Sequence, residues 1–545
     1  MRTKHAVVAM ALCLVWPARM SGQSVPPPPP PTDQAKPTTP ALKVTARAVQ
    51  VNVIVQDKNG QPVTGLTKEN FTILDQGQPQ TLASFSEQTN KVSTTVVKAA
   101  APNTFTNRVE ERYGVPPSVS VILIDSLNML NNGGRVSRNN MASAREQVVK
   151  FLKKLEPQDR VALYFLSDKI YIVHDFTKDT AELLHAMDEI PHLQQDQGNA
   201  TPAMDFAPTA PGSGMTNPQW ASEGIERADE VYTTNRVKQT AAALEIIAKH
   251  LGGLPGRKNL IWISGSFPFL IYTPAGIVSF EPQISAAAKA LSNANVALYA
   301  VDARGLTTSP SDPETVNSMT VLANRTGGRV FRNTNDFSAA IRQAIDDSNV
   351  SYVLSYYPNH NQWDGRFREI TIRVDRPGVS IRARRGYFAM PDAAVSPKSD
   401  EEIMVEAANN SLESSTLGMD VQADPVDISG TRQLKARVTI DPAQLLLAKT
   451  EDRRMDTVEV KWVQIDANGR VVGSTSQTLN LNIPQADYEK FLRKGLTFSG
   501  TVKLKKDAAD VRIVVRDSGN GSVGTVNIPL ERLFAVNNIQ TPATR

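Results

Sequence analysis

Residues 118–128 read SVSVILIDSLN, and no other stretch limits the fold as strongly. Val119, Val121, Ile122, Leu123 and Ile124 form a near-continuous apolar run. A strand with one wet face would alternate, so this run predicts a central parallel strand covered on both faces. Asp125, Ser126 and Asn128 follow at its C-terminal end. In an open α/β sheet that is where ligands bind. One segment thus predicts a fold class and the position of a site.

Strands and helices alternate on either side of it. Residues 140–155 form an amphipathic helix ended by Pro157, and 160–167 and 169–175 are two strands joined by a tight turn. Helices are expected at 178–190, 236–251, 282–293, 315–326 and 336–348, and strands at 258–264 (KNLIWIS), 295–302 (NVALYAVD) and 328–333. This order implies a doubly wound, mostly parallel sheet with helices on both faces, and the hairpin at 160–175 makes one edge antiparallel. Residues 191–223, rich in Gln, Asn, Pro, Gly and Thr, are long for a loop and predict a variable lip beside the site.

The flanks carry a period of two. Residues 42–95 predict a small β-domain, with VQVNVIVQ alternating before the DKNG turn. Asp57 and Asp75 read as turn residues, with calcium ligation the alternative. After a polar connection at 88–117, the α/β domain occupies 117–350. Strands at 351–390 are expected to complete the N-terminal β-domain, because each piece alone has too few strands to bury a core. Residues 391–432 read as a linker with a helix near 401–412, and 433–535 as an antiparallel C-terminal β-sandwich. The expected fold class is therefore multidomain α/β plus all-β.

The first 22 residues resemble a secretory signal: Arg2 and Lys4, then an apolar run from Ala6 to Trp16, then the small Ser21 and Gly22. A retained anchor is the alternative, although the run is short for a span. The one cysteine, Cys13, lies in that run, and Leu12 stands where a lipoprotein signal wants a small residue. Cleavage would leave no thiol, hence neither disulfide nor thiolate chemistry. Six prolines at 26–31 open a stretch at 23–41 expected to be an extended spacer. No later segment is long and apolar enough to cross a bilayer. A net charge of +4 over 545 residues gives no case for nucleic acid or an anionic membrane as partner.

The strand ending in Asp125-Ser126, the hairpin YFLSDKIYIVHDFT, the element LPGRKNLIWISG and the strand NVALYAVDARG together resemble a von Willebrand factor A domain. Residues 49–388 are similar to the VWFA-related proteins of Acidobacteria, through NVIVQDKNGQPVTGLTKENFTILDQGQPQ, GLPGRKNLIWISGSFP and FREITIRVDRPGVSIRARRGYF. The resemblance implies a metal-ion-dependent adhesion site, in which Asp-x-Ser-x-Ser, a threonine before the third helix and an aspartate after the central strand hold Mg²⁺. Asp125 matches the first position. Leu127 and Met129 stand where the serines belong, and Ser264 where the second aspartate belongs. The metal set implied is then Asp125, Ser126 and Asn128 with the loop shifted by one residue, plus Thr234 and Ser264. The alternative is that Asp125 and Asn128 cap the following turn and the rim recognises partners by hydrogen bonds alone. Asp302 ends the strand beyond the central one, roughly 10 Å from Asp125 at two strand spacings. It either lines the same cleft or pairs with Arg304. Asp125, Asn128, Ser266, Asp302 and Arg304 make up the expected partner-binding rim.

Other chemistry finds little footing. No two of the six histidines have the i, i+4 spacing of a zinc helix, and Ser264-Gly265-Ser266 is not a nucleophile elbow. GGLPGRKN at 252–259 lacks the ending of a phosphate loop, and the arginines between 366 and 385 read as a solvated sheet face, with an acidic glycan or lipid head group the alternative. The sequence therefore predicts an exported, non-enzymatic interaction or adhesion module that binds a protein or cell-surface ligand at a degenerate metal site. A purely structural envelope module and a hydrolase using rim carboxylates are the alternatives.

Overall fold

The structure is a computed structural model that describes residues 48–89, 101–108, 118–129, 137–195, 219–254, 256–265, 267–273, 276–304, 313–360, 362–389, 399–410, 412–428, 431–450 and 452–538. The signal-like segment and the proline-rich stretch lie outside them.

The strand at 118–128 lies at the centre of a six-stranded sheet. In chain order its strands are β1 (Ser118–Asp125), β2 (Val161–Leu166), β3 (Ile170–Thr177), β4 (Arg257–Ser264), β5 (Val296–Asp302) and β6 (Arg329–Phe331). Their spatial order is β6-β5-β4-β1-β2-β3, parallel except for β3. The order reverses between β1 and β4, so Asp125 and Ser264 end the two strands at the switch point. The expected fold class, α/β plus all-β, is met.

Every residue of β1 is buried, because helices cover both faces. The helices are α1 (Arg138–Leu152), α2 (Thr180–Gln195), α3 (Gln219–Leu251), α4 (Glu281–Asn293), α5 (Pro313–Thr326) and α6 (Phe337–Asp346). Val121, Leu123, Leu260 and Trp262 pack under α3, α4 and α5, whereas Ile122, Ile124, Ile261 and Ile263 pack under α1, α2 and α6. Each such side chain contributes about 1.5–3 kcal/mol of burial.

Two elements differ from the sequence expectation. Pro191 does not end α2 but lies inside it. A proline there cannot donate to the carbonyl four residues back. That carbonyl, of Met187, instead accepts from Arg145 Nε at 3.0 Å. Helix α3 begins at Gln219 rather than near Arg236, so the end of the expected lip is helical, while 196–218 lies outside the described residues.

Two β-sandwiches flank the sheet. In the first, Val49–Gln56 pairs with Val350–Tyr356 and Ser380–Arg382, and Phe71–Asp75 pairs with Phe367–Val374 across the shared core. In the second, Met419–Ile428 is a strand where a linker is expected, and it pairs with Thr431–Ile440. Its other edge is Thr104–Thr106, from the segment read as a polar connection. Asn107 fastens that crossing: its amide donates to the Ser414 and Leu417 carbonyls at 2.7 and 2.9 Å and accepts from Met419 N at 2.7 Å.

Both sandwiches attach where the parallel strands begin. Asn52 donates to Asn295 at 3.0 Å, and Arg384 donates to the Ser292 hydroxyl at 3.2 Å. Buried Asp347, just past α6, accepts from Gln56 at 3.1 Å and pairs with Arg382. On the other side, Lys249 at the end of α3 reaches Glu406 at 3.2 Å, and Gly253 N donates to the Ser415 hydroxyl at 3.1 Å. These bonds all lie at the edge opposite Asp125.

Candidate functional site

Strand β1 ends as a single turn, Ser126–Asn128, capped by Asp125, whose Oδ1 accepts Asn128 N at 3.3 Å. Asp125 is wholly buried. Its Oδ2 accepts three further hydrogen bonds: Asn128 Nδ2 at 2.6 Å, Trp262 Nε1 at 2.9 Å and Ser264 Oγ at 2.9 Å. Trp262 and Ser264 are two residues apart on β4, so they project from the same face.

The network continues into α3. Asn128 Nδ2 also donates to Thr240 Oγ1 at 2.8 Å, and Asn128 Oδ1 accepts from Arg236 Nη1 at 2.8 Å. Thr240 returns its proton to the Arg236 carbonyl at 2.9 Å. Arg236, Thr240, Asn128 and Ser264 are all buried. Burial pushes the Asp125 carboxyl up from its ordinary value, and the donors of Asn128, Trp262 and Ser264 together with the Arg236 charge draw it back. Burial lowers Arg236, and Asp125 opposes that shift. Gly265 closes the turn from above: a Cβ there would stand 2.7 Å from the Asn128 carbonyl oxygen.

These residues do not fit Mg²⁺. A hard cation needs an octahedron of free oxygens. Asp125 Oδ2 already accepts three hydrogen bonds, and the Asn128 amide oxygen is held by Arg236. Ser126 Oγ donates to the Leu166 carbonyl at 2.9 Å, in keeping with a side chain committed to β2. Ser264 spends its proton on Asp125 rather than supplying a second carboxylate. Thr240, not Thr234, meets the Asn128 turn: α3 already runs from Gln219, and Thr234 lies on it well before Thr240, nearer its N-terminus. Among the described residues no group of three or more His, Cys, Asp or Glu side chains could hold a metal.

The expected rim also rearranges. Asp125 and Asn128 are inside the protein and present nothing to a partner. Asp302 is buried and paired with Arg304, whose Nε and Nη2 meet its two oxygens at 2.9 and 2.8 Å. Ser266 lies outside the described residues. What stands exposed beyond β4 is a hairpin, Leu270–Thr273 paired with Gly276–Ser279, in which Tyr272 and Ile277 face each other at 73% and 65% exposure. Sequence reading passed over Arg236. Its signal was readable: Arg236, Thr240, Leu244 and Leu251 share one helical face, so a charge stands in an apolar stripe.

No protein-family model matches the chain, and no curated protein matches it. Among its structural neighbours are BatB and two von Willebrand domains. BatB from Bacteroides thetaiotaomicron is 14% identical over 42% of this chain and 98% of its own, with a TM-score of 0.26. The von Willebrand domain of the type V pili tip protein Mfa5 from Porphyromonas gingivalis is 13% identical over 42% and 93%, with a TM-score of 0.23. A von Willebrand factor type A protein from Catenulispora acidiphila is 10% identical over 60% and 80%, with a TM-score of 0.25. Likeness at this level carries no argument about function.

Proposed function

We propose that the chain is an exported interaction module that binds a protein or cell-surface ligand across the C-terminal rim of its α/β sheet. Its parts are a β-domain at 42–95 completed by 351–390, an A-type domain at 117–350 and a C-terminal β-sandwich. The observation that carries this reading is one of placement. The bonds named above that hold the sandwiches lie where the strands begin, so the opposite rim, with the exposed Tyr272–Ile277 pair, is left for a partner. Tyrosine is among the residue types that carry most of the energy in protein contacts. We read no enzyme: among the described residues the two buried rim carboxylates, Asp125 and Asp302, are held by Asn128, Trp262 and Ser264 and by Arg304, with no histidine or second carboxylate hydrogen-bonded to either. No described helix is long and apolar enough to cross a membrane.

The test is binding of the full chain to a panel of immobilised proteins and cell-surface preparations, comparing wild type with the Tyr272→Ser/Ile277→Ser variant. A ligand retained by wild type and lost at least tenfold by the folded variant supports the rim. Equal retention would move the binding face elsewhere. A second reading, a structural envelope module, is favoured by the complete burial of Asp125, Asn128 and Ser264. It predicts no specific retention at all.

A further inference from the structure

We infer that the strand-end site is a charge-replaced one, in which the guanidinium of Arg236 takes the place of a divalent cation and makes the rim independent of metal. Three observations carry it. Asp125 is the one carboxylate of the network and is buried without a directly bonded cation, and an ionised carboxylate there needs its charge balanced from nearby. Arg236 is the buried cation whose charge bears on it. Asn128 couples the two, since one amide donates to the carboxylate and accepts from the guanidinium. That amide has both ends committed in opposite senses, which fixes its orientation and the rotamers on either side. Thr240 and the Arg236 carbonyl close the ring.

The arrangement differs from a metal site in what it demands. A cation held by waters and oxygens can leave, whereas a guanidinium on a helix of the same chain cannot. The turn that would otherwise tighten around a metal is already tight, with Asn128 O lying against Gly265. The inference concerns the chain's own charge balance, and it stands whether or not the rim binds a partner.

The experiment has two arms, both on the full chain. Calorimetry titrates Mg²⁺ and Mn²⁺ into wild type and Asp125→Asn, and thermal unfolding is followed with each ion and with EDTA. The expected result is no saturable heat and no shift of the midpoint in wild type. Saturable heat in wild type that Asp125→Asn loses would overturn the inference. The second arm is a cycle of Arg236→Met, Asp125→Asn and the double variant, with Arg236→Lys as the charge-keeping control. Each single change should lower the midpoint by several degrees, the double variant should be no worse than the poorer single, and Arg236→Lys should keep part of the loss. Losses that simply add, or an Arg236→Lys variant as poor as Arg236→Met, would show that the Arg236 charge does not serve Asp125. Should the methionine variants fail to fold, the same cycle is run with Arg236→Lys, Asp125→Asn and their double variant, and losses that simply add there would overturn the inference.

Discussion

Trp262 Nε1 is one of three donors to Asp125 Oδ2, in a region water does not reach. Trp262→Phe keeps an aromatic ring against Phe267, which it meets edge-on at 5.2 Å, and deletes the donor. Guanidinium unfolding should report a loss of about 1–3 kcal/mol. A second residue is set by its neighbours in the C-terminal sandwich. Burial and the adjacent Asp517 push the Asp456 carboxyl up to about 7. A folded value above the unfolded one means that the native state keeps a proton the unfolded chain has released. The contribution is full below about pH 4 and is lost as pH rises through about 7. Asp456→Asn should flatten that slope and raise the midpoint at pH 8 relative to wild type, as thermal melts from pH 4.5 to 8 will show. At this scale the sequence was half legible. Asp125 was found because it ends a near-continuous apolar run. Its partners Arg236 and Trp262 were not, because they reach it across 111 and 137 residues of chain, as the separation of Asp125 from each shows.

Elements were easiest to read where burial decides them. β1, β4 and β5 carry the apolar runs Val121–Ile124, Leu260–Ile263 and Val296–Val301, and a strand covered on both faces satisfies such runs. Helix ends were harder, since beyond Pro218 the first large apolar residues, Trp220 and Ile225, are too sparse to mark where α3 begins. Pro191 reads as a stop in any sequence, and the side chain that makes it tolerable, Arg145, is on another helix. An internal proline costs about 3 kcal/mol when nothing compensates. Arg145 compensates in part, so Pro191→Ala should stabilise by only about 1 kcal/mol, measurable by urea unfolding. Arg145→Ala, which strands the Met187 carbonyl, should destabilise.

On the scale of the molecule, the α/β layer and the first sandwich share a buried ion pair. Asp347 has no exposed side-chain surface and takes its partner, Arg382, from a strand that pairs with Val49–Gln56. Removing one member leaves a buried charge, so Arg382→Met should cost about 3 kcal/mol or more. Differential scanning calorimetry should then show the first sandwich melting ahead of the α/β layer rather than with it. No local pattern announces such a pair, nor the edge strand Thr104–Thr106, three residues long and half-buried. Both belong to how distant segments meet. The placement of the attachments has a mechanical consequence. With the anchorage where β1 begins and a ligand engaged beyond its end, tension would run along β1 itself. The hydrogen bonds to β2 and β4 on its two sides would then be sheared together rather than peeled one by one. A strand at the edge of the sheet would give way under such a pull, whereas the central one shares the load between both neighbours.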